Sequence, residues 1–470
     1  MNIVGNGIFA FDRQYPLYNF FYPSSGRSVD SAQLENLFVS ANSVAKKRAL
    51  YFHIPFCDTI CSFCPFTRGL VKDRSVIDSY VSALLTELSA KANKYPIGSV
   101  PINAIFFGGG TPSLLSPDHI RTIGKAIREY FDLSGIEEFS FEIEVKSLTK
   151  DKIDAMKEIG VSHPRFGLQS FSKRWRDLFT LTATLEQISS AIELLKHNFN
   201  TVSFDLLYGM SGQDEAELLK DLTAACDTGC SNIDIYPIDN VMTQTSLHKS
   251  LLDLQCEPTS AVRKFTMNLL VDEYMRSRGY APHNGHGYRK TNVYNRDKVI
   301  YEGYTFQYHE HVYGYHDYDL LGFGVNAISS LFGMTIQNPT SRSRYIEAYT
   351  RTREIVVKVR THPEVLDYAR PLILRLPYHG FADKARIAFN KIPGVLLERI
   401  EQLVGIGLIR DESTHYRITK AGWYNYVNMM YFLMTQTERQ CLDNIVATQL
   451  ETPDRFISTR EIVYGDEYFT

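Results

Sequence analysis

Arg48-Ala-Leu-Tyr51-Phe-His53-Ile-Pro-Phe-Cys57-Asp-Thr-Ile-Cys61-Ser-Phe-Cys64 runs from a strand-like apolar stretch directly into three cysteines within eight residues. A β-favouring run followed at once by a ligand-rich loop puts that loop at a strand's C-terminal end. The unit recurs along the chain. Strand-like runs at 48–54, 104–107, 139–144, 164–169, 202–208 and 233–238 are each followed by helical spacing, for example at 73–94 and 213–228. Six strand–helix units in series predict a parallel sheet with right-handed crossovers, an α/β fold built as a partial (β/α)6 barrel. Chemistry then belongs at the C-terminal strand ends.

Working outward, the 470 residues are 44% hydrophobic and 22% charged, enough for a large core and about three domain-sized units. The net charge of −3 gives no basic excess for a nucleic-acid partner. No window approaches the roughly 18 apolar residues of a membrane span, and the N-terminus does not start like a secretory signal. A cytoplasmic protein is expected. Seven cysteines, odd in number and uneven in spacing, do not make a disulfide framework; the local triple reads as metal ligation in a reducing compartment. Residues 1–46 form an N-terminal extension without sustained periodicity. Residues 47–335 form the core, with an aromatic-rich segment at 281–318 and a glycine-containing stretch at 319–334. Residues 336–435 form a small C-terminal helical domain, winged-helix-like in its helix–turn–hairpin pattern at 391–419, and 436–470 an acidic tail.

Cys57, Cys61 and Cys64 supply three thiolates, suited to three irons of a [4Fe–4S] cluster whose fourth iron stays open to an external ligand. Zinc is the alternative, but a closed zinc site needs a fourth ligand and no Cys or His follows at matching spacing. Around the triple the sequence resembles the cluster loop of radical S-adenosylmethionine (SAM) enzymes, in the branch of oxygen-independent coproporphyrinogen III oxidase. The resemblance implies that SAM chelates the open iron and that one electron cleaves its sulfonium bond to give a 5′-deoxyadenosyl radical. A low-potential donor such as flavodoxin or ferredoxin would supply that electron.

Further motifs agree in order. Gly108-Gly109-Gly110-Thr111-Pro112 follows the second strand, where glycines allow close backbone approach and expose N–H groups. Glu142 ends the third strand, and Gln169 closes the fourth. Asp205 lies in the fifth. Polar groups within strands are costly unless paired, so Gln169 and Asp205 read as pocket residues. By resemblance, Tyr51, Phe63 and Ile328 line the adenosyl group, and Gly110, Thr111, Gln169 and Asp205 match contacts of a second SAM. Family members usually carry an arginine twelve residues after the glutamine; here that position is Leu181, which cannot pair with a carboxylate. Arg165, Arg174 and Arg176 are the nearby substitutes, so one SAM is expected and a second depends on them.

The branch includes porphyrinogen decarboxylases, proteins that bind or open heme, and enzymes that transfer a one-carbon group to an sp² carbon. The oxidase's Gly-Cys-Asn after the third cysteine is Pro65-Phe66-Thr67 here, which counts against decarboxylation. Methyl transfer to a flat aromatic or quinone-type ring, such as menaquinone, is the expected reaction. Tetrapyrrole chemistry and a heme-carrying role are the alternatives. Residues 301–318 hold six Tyr and three His, with His283 and His286 upstream. Aromatic faces suit a planar conjugated substrate. His309, His311 and His316 could be proton donors or heme ligands, or tips of a packing loop; no residue is singled out as the catalyst. Cys226 and Cys230 read as buried structural thiols.

Overall fold

The computed structural model describes residues 26–64, 66–71, 73–238, 259–291, 299–352, 355–436 and 438. Most of the acidic tail and residues 1–25 lie outside them. Six parallel strands are hydrogen-bonded in chain order: β1 (Lys47–Ile54), β2 (Ile102–Gly109), β3 (Glu138–Ile143), β4 (His163–Gln169), β5 (Ser203–Tyr208) and β6 (Asn232–Pro237). The predicted runs agree with these to within two residues at each end. The pleat's period of two decides what each face presents. Outward go Phe139, Phe141, Phe166, Phe204, Leu206, Ile233 and Ile235, buried with Ile120, Ile153, Ile192 and Leu222 of the covering helices. Inward go Glu138, Glu142, Arg165, Asp205 and Asp234 of β3–β6, a charged stripe beside the aromatic Tyr51 of β1 and Phe106 of β2.

Beyond β6 a hairpin of β7 (Tyr280–Pro282) and β8 (Gly287–Lys290) adds antiparallel. On the other edge lies a seventh parallel strand that sequence reading misses. β9 (Tyr318–Phe323) pairs with β1, Leu321 opposite Leu50, in the stretch expected to be a glycine-containing connection. Gly322 makes this tight: a Cβ there would meet the Ile328 carbonyl oxygen at 2.5 Å. Then β10 (Ile328–Leu331), β11 (Met334–Gln337), β12 (Lys358–Thr361) and strand Arg27–Val29 complete one 13-stranded sheet. The N-terminal extension also contains a helix, Leu34–Val44, that buries Leu34, Phe38 and Ala41 at helical spacing. That correction is physical: three apolar positions suffice when a core waits beneath them.

A short helix, Gln307–Tyr313, lies inside the curve of the sheet, where Tyr308 and Val312 meet Ala49, Ala104 and Leu320. The two alanines leave room for it. Glu138 caps its start, accepting from the Gln307 N–H at 3.2 Å. A second core gathers Leu366, Leu372, Leu376, Leu396, Ile400, Leu403, Trp423 and Met430. It includes helix Gly394–Gly405 and a three-stranded sheet of Phe381–Asp383, His415–Ile418 and Ile409–Asp411. Among the described residues no helix is long and apolar enough to cross a membrane.

Arg48 of β1 and Asp319 of β9 form a fully buried bidentate pair at 2.7 and 2.6 Å. Removing one partner strands the other charge without solvent. Asp319→Ala is therefore expected to cost about 3–5 kcal/mol in chemical denaturation, while the double replacement Arg48→Met with Asp319→Leu recovers most of it.

Candidate active site

The cysteine loop leaves β1 at Ile54 and returns through a two-rung parallel ladder, Phe56–Cys57 against Gly69–Leu70. It is pinned from below, where the Ser62 hydroxyl donates to the Leu178 carbonyl at 2.8 Å and the Ser62 N–H to the Phe179 carbonyl at 3.1 Å. Cys57, Cys61 and Cys64 form no disulfide among the described residues and are half-buried. Burial pushes the Cys57 thiol up to about 11 and that of Cys61 to about 12, with mutual repulsion adding to it. Such thiols ionise only beside positive charge, which an iron cluster supplies. His53 cannot be a fourth zinc ligand. Its Nε2–H donates to the Thr67 carbonyl at 2.8 Å, leaving Nδ1 to accept from the Tyr51 hydroxyl at 2.8 Å. Among the described residues no three His, Cys, Asp or Glu side chains are grouped so as to hold a single ion. Three thiols and no closing ligand fit a cluster with an external ligand.

The glycine turn lies against this loop. Gly109 has φ +111°, and its N–H donates to Glu142 Oε2 at 3.2 Å. Gly110 donates its N–H to the Ile54 carbonyl at 2.8 Å. A Cβ on Gly108 would meet the Phe106 ring at 2.5 Å. The Thr111 hydroxyl reaches Cys57 Sγ at 3.6 Å, so turn and cysteine loop touch. Glu142 is half-buried, its carboxyl raised to about 7 by burial against the pull of Arg165 and the Gly109 N–H. Asp205 rises to about 8 through burial and the repulsion of Asp234 and Glu142, opposed by Arg165. Gln169, also half-buried, takes φ +70° at a register shift between β4 and β5. Tyr51, Glu142, Gln169 and Asp205 thus share one concave face. Ile328 begins β10, buried beside the end of β9, and Phe63 meets Phe179 with tilted rings at 4.9 Å.

Of the three candidate arginines, only Arg165 reaches that face. It is buried, ion-paired with Asp234 and Asp205 (3.6 Å to the latter), and lies over the Phe306 ring at 4.4 Å. Arg176 is spent on the carbonyls of Leu168, Ser170 and Ala183, and Arg174 lies over Trp175 and pairs with Glu217. Leu181 joins Phe63 and Tyr236 on an apolar cluster of Trp175, Phe179, Leu207, Met210 and Ile238. Position 181 is thus apolar packing rather than a carboxylate partner.

The aromatic segment turns inward. Tyr308 stacks on Phe106 at 4.6 Å and meets Tyr51 at 5.9 Å; Tyr236 meets His286 at 4.0 Å. The histidines are not solvated tips. His283 donates to Asn232 at 2.8 Å, and His311 is held by the Asp319 carbonyl at 2.7 Å and Asn103 at 2.6 Å. His316 sits apart, against Tyr368 and Phe332. Tyr378 bridges His286 and His309 at 3.1 and 2.7 Å. Sequence reading passed over Glu138, Asp234 and Tyr378. The first two share the alternation that exposes Glu142 and Asp205; Tyr378 arrives from the distant helix Leu376–His379 of the second core and leaves no such signal. Cys226 is buried in its helix beside Met275, while Cys230 lies past the helix end at Asp227.

Glu138 offers a pH test. Burial raises its carboxyl to about 7, above the unfolded value, so its contribution is present while protonated and lost as pH rises through about 7. Glu138→Gln cannot ionise. Its stability relative to the parent is expected to grow by about 1–3 kcal/mol between about pH 5 and about pH 8, read from denaturation at each pH.

Residues 51–225 match the sequence profile of the Radical SAM superfamily. The chain is 27% identical over 410 residues to the anaerobilin synthase of Escherichia coli O157:H7, covering 86% of this chain and 87% of that protein. It is 24% identical over 388 residues to the heme chaperone HemW of Lactococcus lactis, covering 80% and 95%. Its fold matches the solved structure of coproporphyrinogen III oxidase (HemN) from Escherichia coli with a TM-score of 0.72 at 20% identity, over 90% of this chain and 96% of that one.

Proposed function

The chain belongs to the oxygen-independent coproporphyrinogen III oxidase-like branch of the radical SAM superfamily, and from that premise we propose that it performs radical chemistry on a tetrapyrrole. What carries the reading is the aromatic lining of the sheet's inner face beside the cysteine loop. Tyr51, Phe106, Tyr308, Phe306 and Tyr236 offer ring faces within one concavity, beside the glycine turn and the Glu142–Arg165–Asp205 series. Flat, largely apolar macrocycles bury well against such faces. The names of the relatives, an anaerobilin synthase and a heme chaperone, lean the same way.

Cys57, Cys61 and Cys64 would hold the [4Fe–4S] cluster, which when bound supplies the electron that cleaves SAM. The Gly109 backbone and Glu142 would meet the polar groups of SAM, and Tyr51 and Phe63 would flank its adenosyl part. Arg165 holds Asp205 in place and keeps charge balanced inside the barrel. The apolar cluster that includes Leu181 and Phe63 would help to exclude water from the reacting groups. One-carbon transfer to a quinone-type ring, the expectation from sequence, has less support, since no relative described above is named for it.

The test is anaerobic reconstitution with iron and sulfide, followed by SAM and a reductant. Release of 5′-deoxyadenosine is expected to rise with heme or coproporphyrinogen III and not with menaquinone. Stimulation by the quinone alone, with S-adenosylhomocysteine formed, would overturn the tetrapyrrole reading.

A further inference from the structure

We infer that Arg289 anchors an ionised carboxylate side chain of the tetrapyrrole, with the Ser203 hydroxyl beside it, near the N-terminal strand ends of the barrel's concave side. The inference rests on the tetrapyrrole reading above and narrows the substrate to one whose acidic side chains are free.

Two arginines of the concave side each lie over a ring of the aromatic segment. Arg165 lies over Phe306 at 4.4 Å and turns towards the C-terminal strand ends, where Asp205 and Asp234 neutralise it. Arg289 of β8 lies over Tyr304, also at 4.4 Å, and turns the other way, its Nη2 donating to the Thr201 hydroxyl at 3.3 Å. Thr201 precedes Asp205 by four residues, about 13 Å of extended chain at 3.3 Å per residue. Here the charge is not balanced. Arg289 is half-buried, no carboxylate pairs with it among the described residues, and its Nη1 is buried without a hydrogen-bond partner. A guanidinium stays charged and binds a carboxylate through two parallel N–H bonds more strongly than any neutral acceptor.

Ser203 lacks the same thing. It lies opposite Asn232 of β6, which lies opposite Arg289, and it alternates inward with Asp205. The residue is fully buried, and its hydroxyl has no hydrogen-bond partner. Buried donors left unpaired are costly, so two of them side by side call for an acceptor. His163 adds a third donor, its ring stacked on Tyr304 at 6.2 Å. Ser162 Oγ accepts from the Phe139 N–H at 2.9 Å and gives its own hydrogen to His163 Nδ1 at 2.7 Å, which leaves the ring's proton on Nε2. Burial, with the fields of Arg289 and Arg165, holds that imidazole down at about 3, so the surroundings are positive and the ring is neutral. Glu138 does not supply the missing anion. Its carboxyl is taken up by the Ser140 hydroxyl at 2.8 Å and the Gln307 N–H at 3.2 Å. A flat macrocycle covered by the rings nearer the cysteine loop would point its charged edge down to Arg289.

The experiment titrates the cluster-loaded protein anaerobically with ferric heme and, separately, with ferric heme dimethyl ester, which has the same ring and no free carboxylate. The parent is expected to bind heme about 10–100-fold more tightly than the ester. Arg289→Gln should erase that preference by weakening heme alone, and Arg289→Lys should restore part of it. Ser203→Ala should weaken heme by about 2–10-fold and leave the ester unaffected. Cluster absorbance and the urea midpoint report that each variant has folded. Equal binding of heme and ester by the parent would overturn the inference and leave the tetrapyrrole reading standing. An undiminished preference in Arg289→Gln, or an equal loss of both ligands there, would do the same. Failure of heme and ester alike to bind the parent would overturn the two together.

Discussion

Alanine at Cys57, Cys61 or Cys64 is expected to give a folded protein that assembles no cluster and releases no 5′-deoxyadenosine from SAM above the level without enzyme. The loop's shape does not depend on the thiols. It is held by the Gly69 N–H to the Pro55 carbonyl at 2.9 Å, the Val71 N–H to the Cys57 carbonyl at 3.0 Å, and the Ser62 contacts beneath. Loss of one donor from a set of three leaves too few bonds for the iron, and a serine oxygen is too hard a ligand to substitute. Iron and sulfide content, cluster absorbance and product chromatography check the result. Cys226→Ala is the control: that thiol is buried against Met275, so the substitution should cost about 1–2 kcal/mol of stability and leave cluster content unchanged.

Gly109→Ala is expected to be nearly as damaging, for a steric reason. At φ +111° an L-residue is strained, and the new Cβ would lie 2.5 Å from the His53 ring. Backbone strain of about 1–3 kcal/mol adds to overpacking of similar size, so about 2–5 kcal/mol is at stake. Moving His53 to make room breaks its bonds to Tyr51 and to the Thr67 carbonyl, and so disturbs both the chamber wall and the cysteine loop. SAM affinity, measured by calorimetry on the cluster-loaded variant, should fall together with the urea midpoint. Gly333→Ala separates the two causes. Its φ is +74° but a Cβ there meets nothing within 4 Å, so about 1 kcal/mol of strain alone is expected and SAM binding is unaffected.

Local chemistry was legible in the sequence wherever a side chain and its backbone element are near neighbours. The cysteine triple, the glycine turn, Glu142, Gln169 and Asp205 each follow a recognisable strand, and the strands fall where alternation puts them. What escaped is what long-range pairing creates. β9 ends in Leu321-Gly322-Phe323, with Gly324 just beyond it, and the glycines suggest a connection until the Ile328 backbone is seen to need the space at Gly322. Leu34–Val44 is too short and too weakly patterned to stand out without the core it covers. The aromatic segment turns inward against the sheet, but its histidines cannot be sorted by sequence. Only folding shows that His311 is tied off, His316 lies elsewhere, and Tyr378 joins from outside.

The buried pair between Arg48 and Asp319 spans 271 residues of chain, and it bears on how the molecule comes into being. At translation rates of about 5–20 residues per second, β1 waits roughly 15–50 s for the strand that will cover its outer edge. Throughout that interval the nascent barrel has one ragged side, an unpaired strand carrying a buried-to-be cation and the loop destined for iron. Such an edge is a template for wrong pairing. The same delay leaves the three thiols accessible from the side until β9 arrives, so metal loading and closure of the sheet become competing events in the life of each newly made chain.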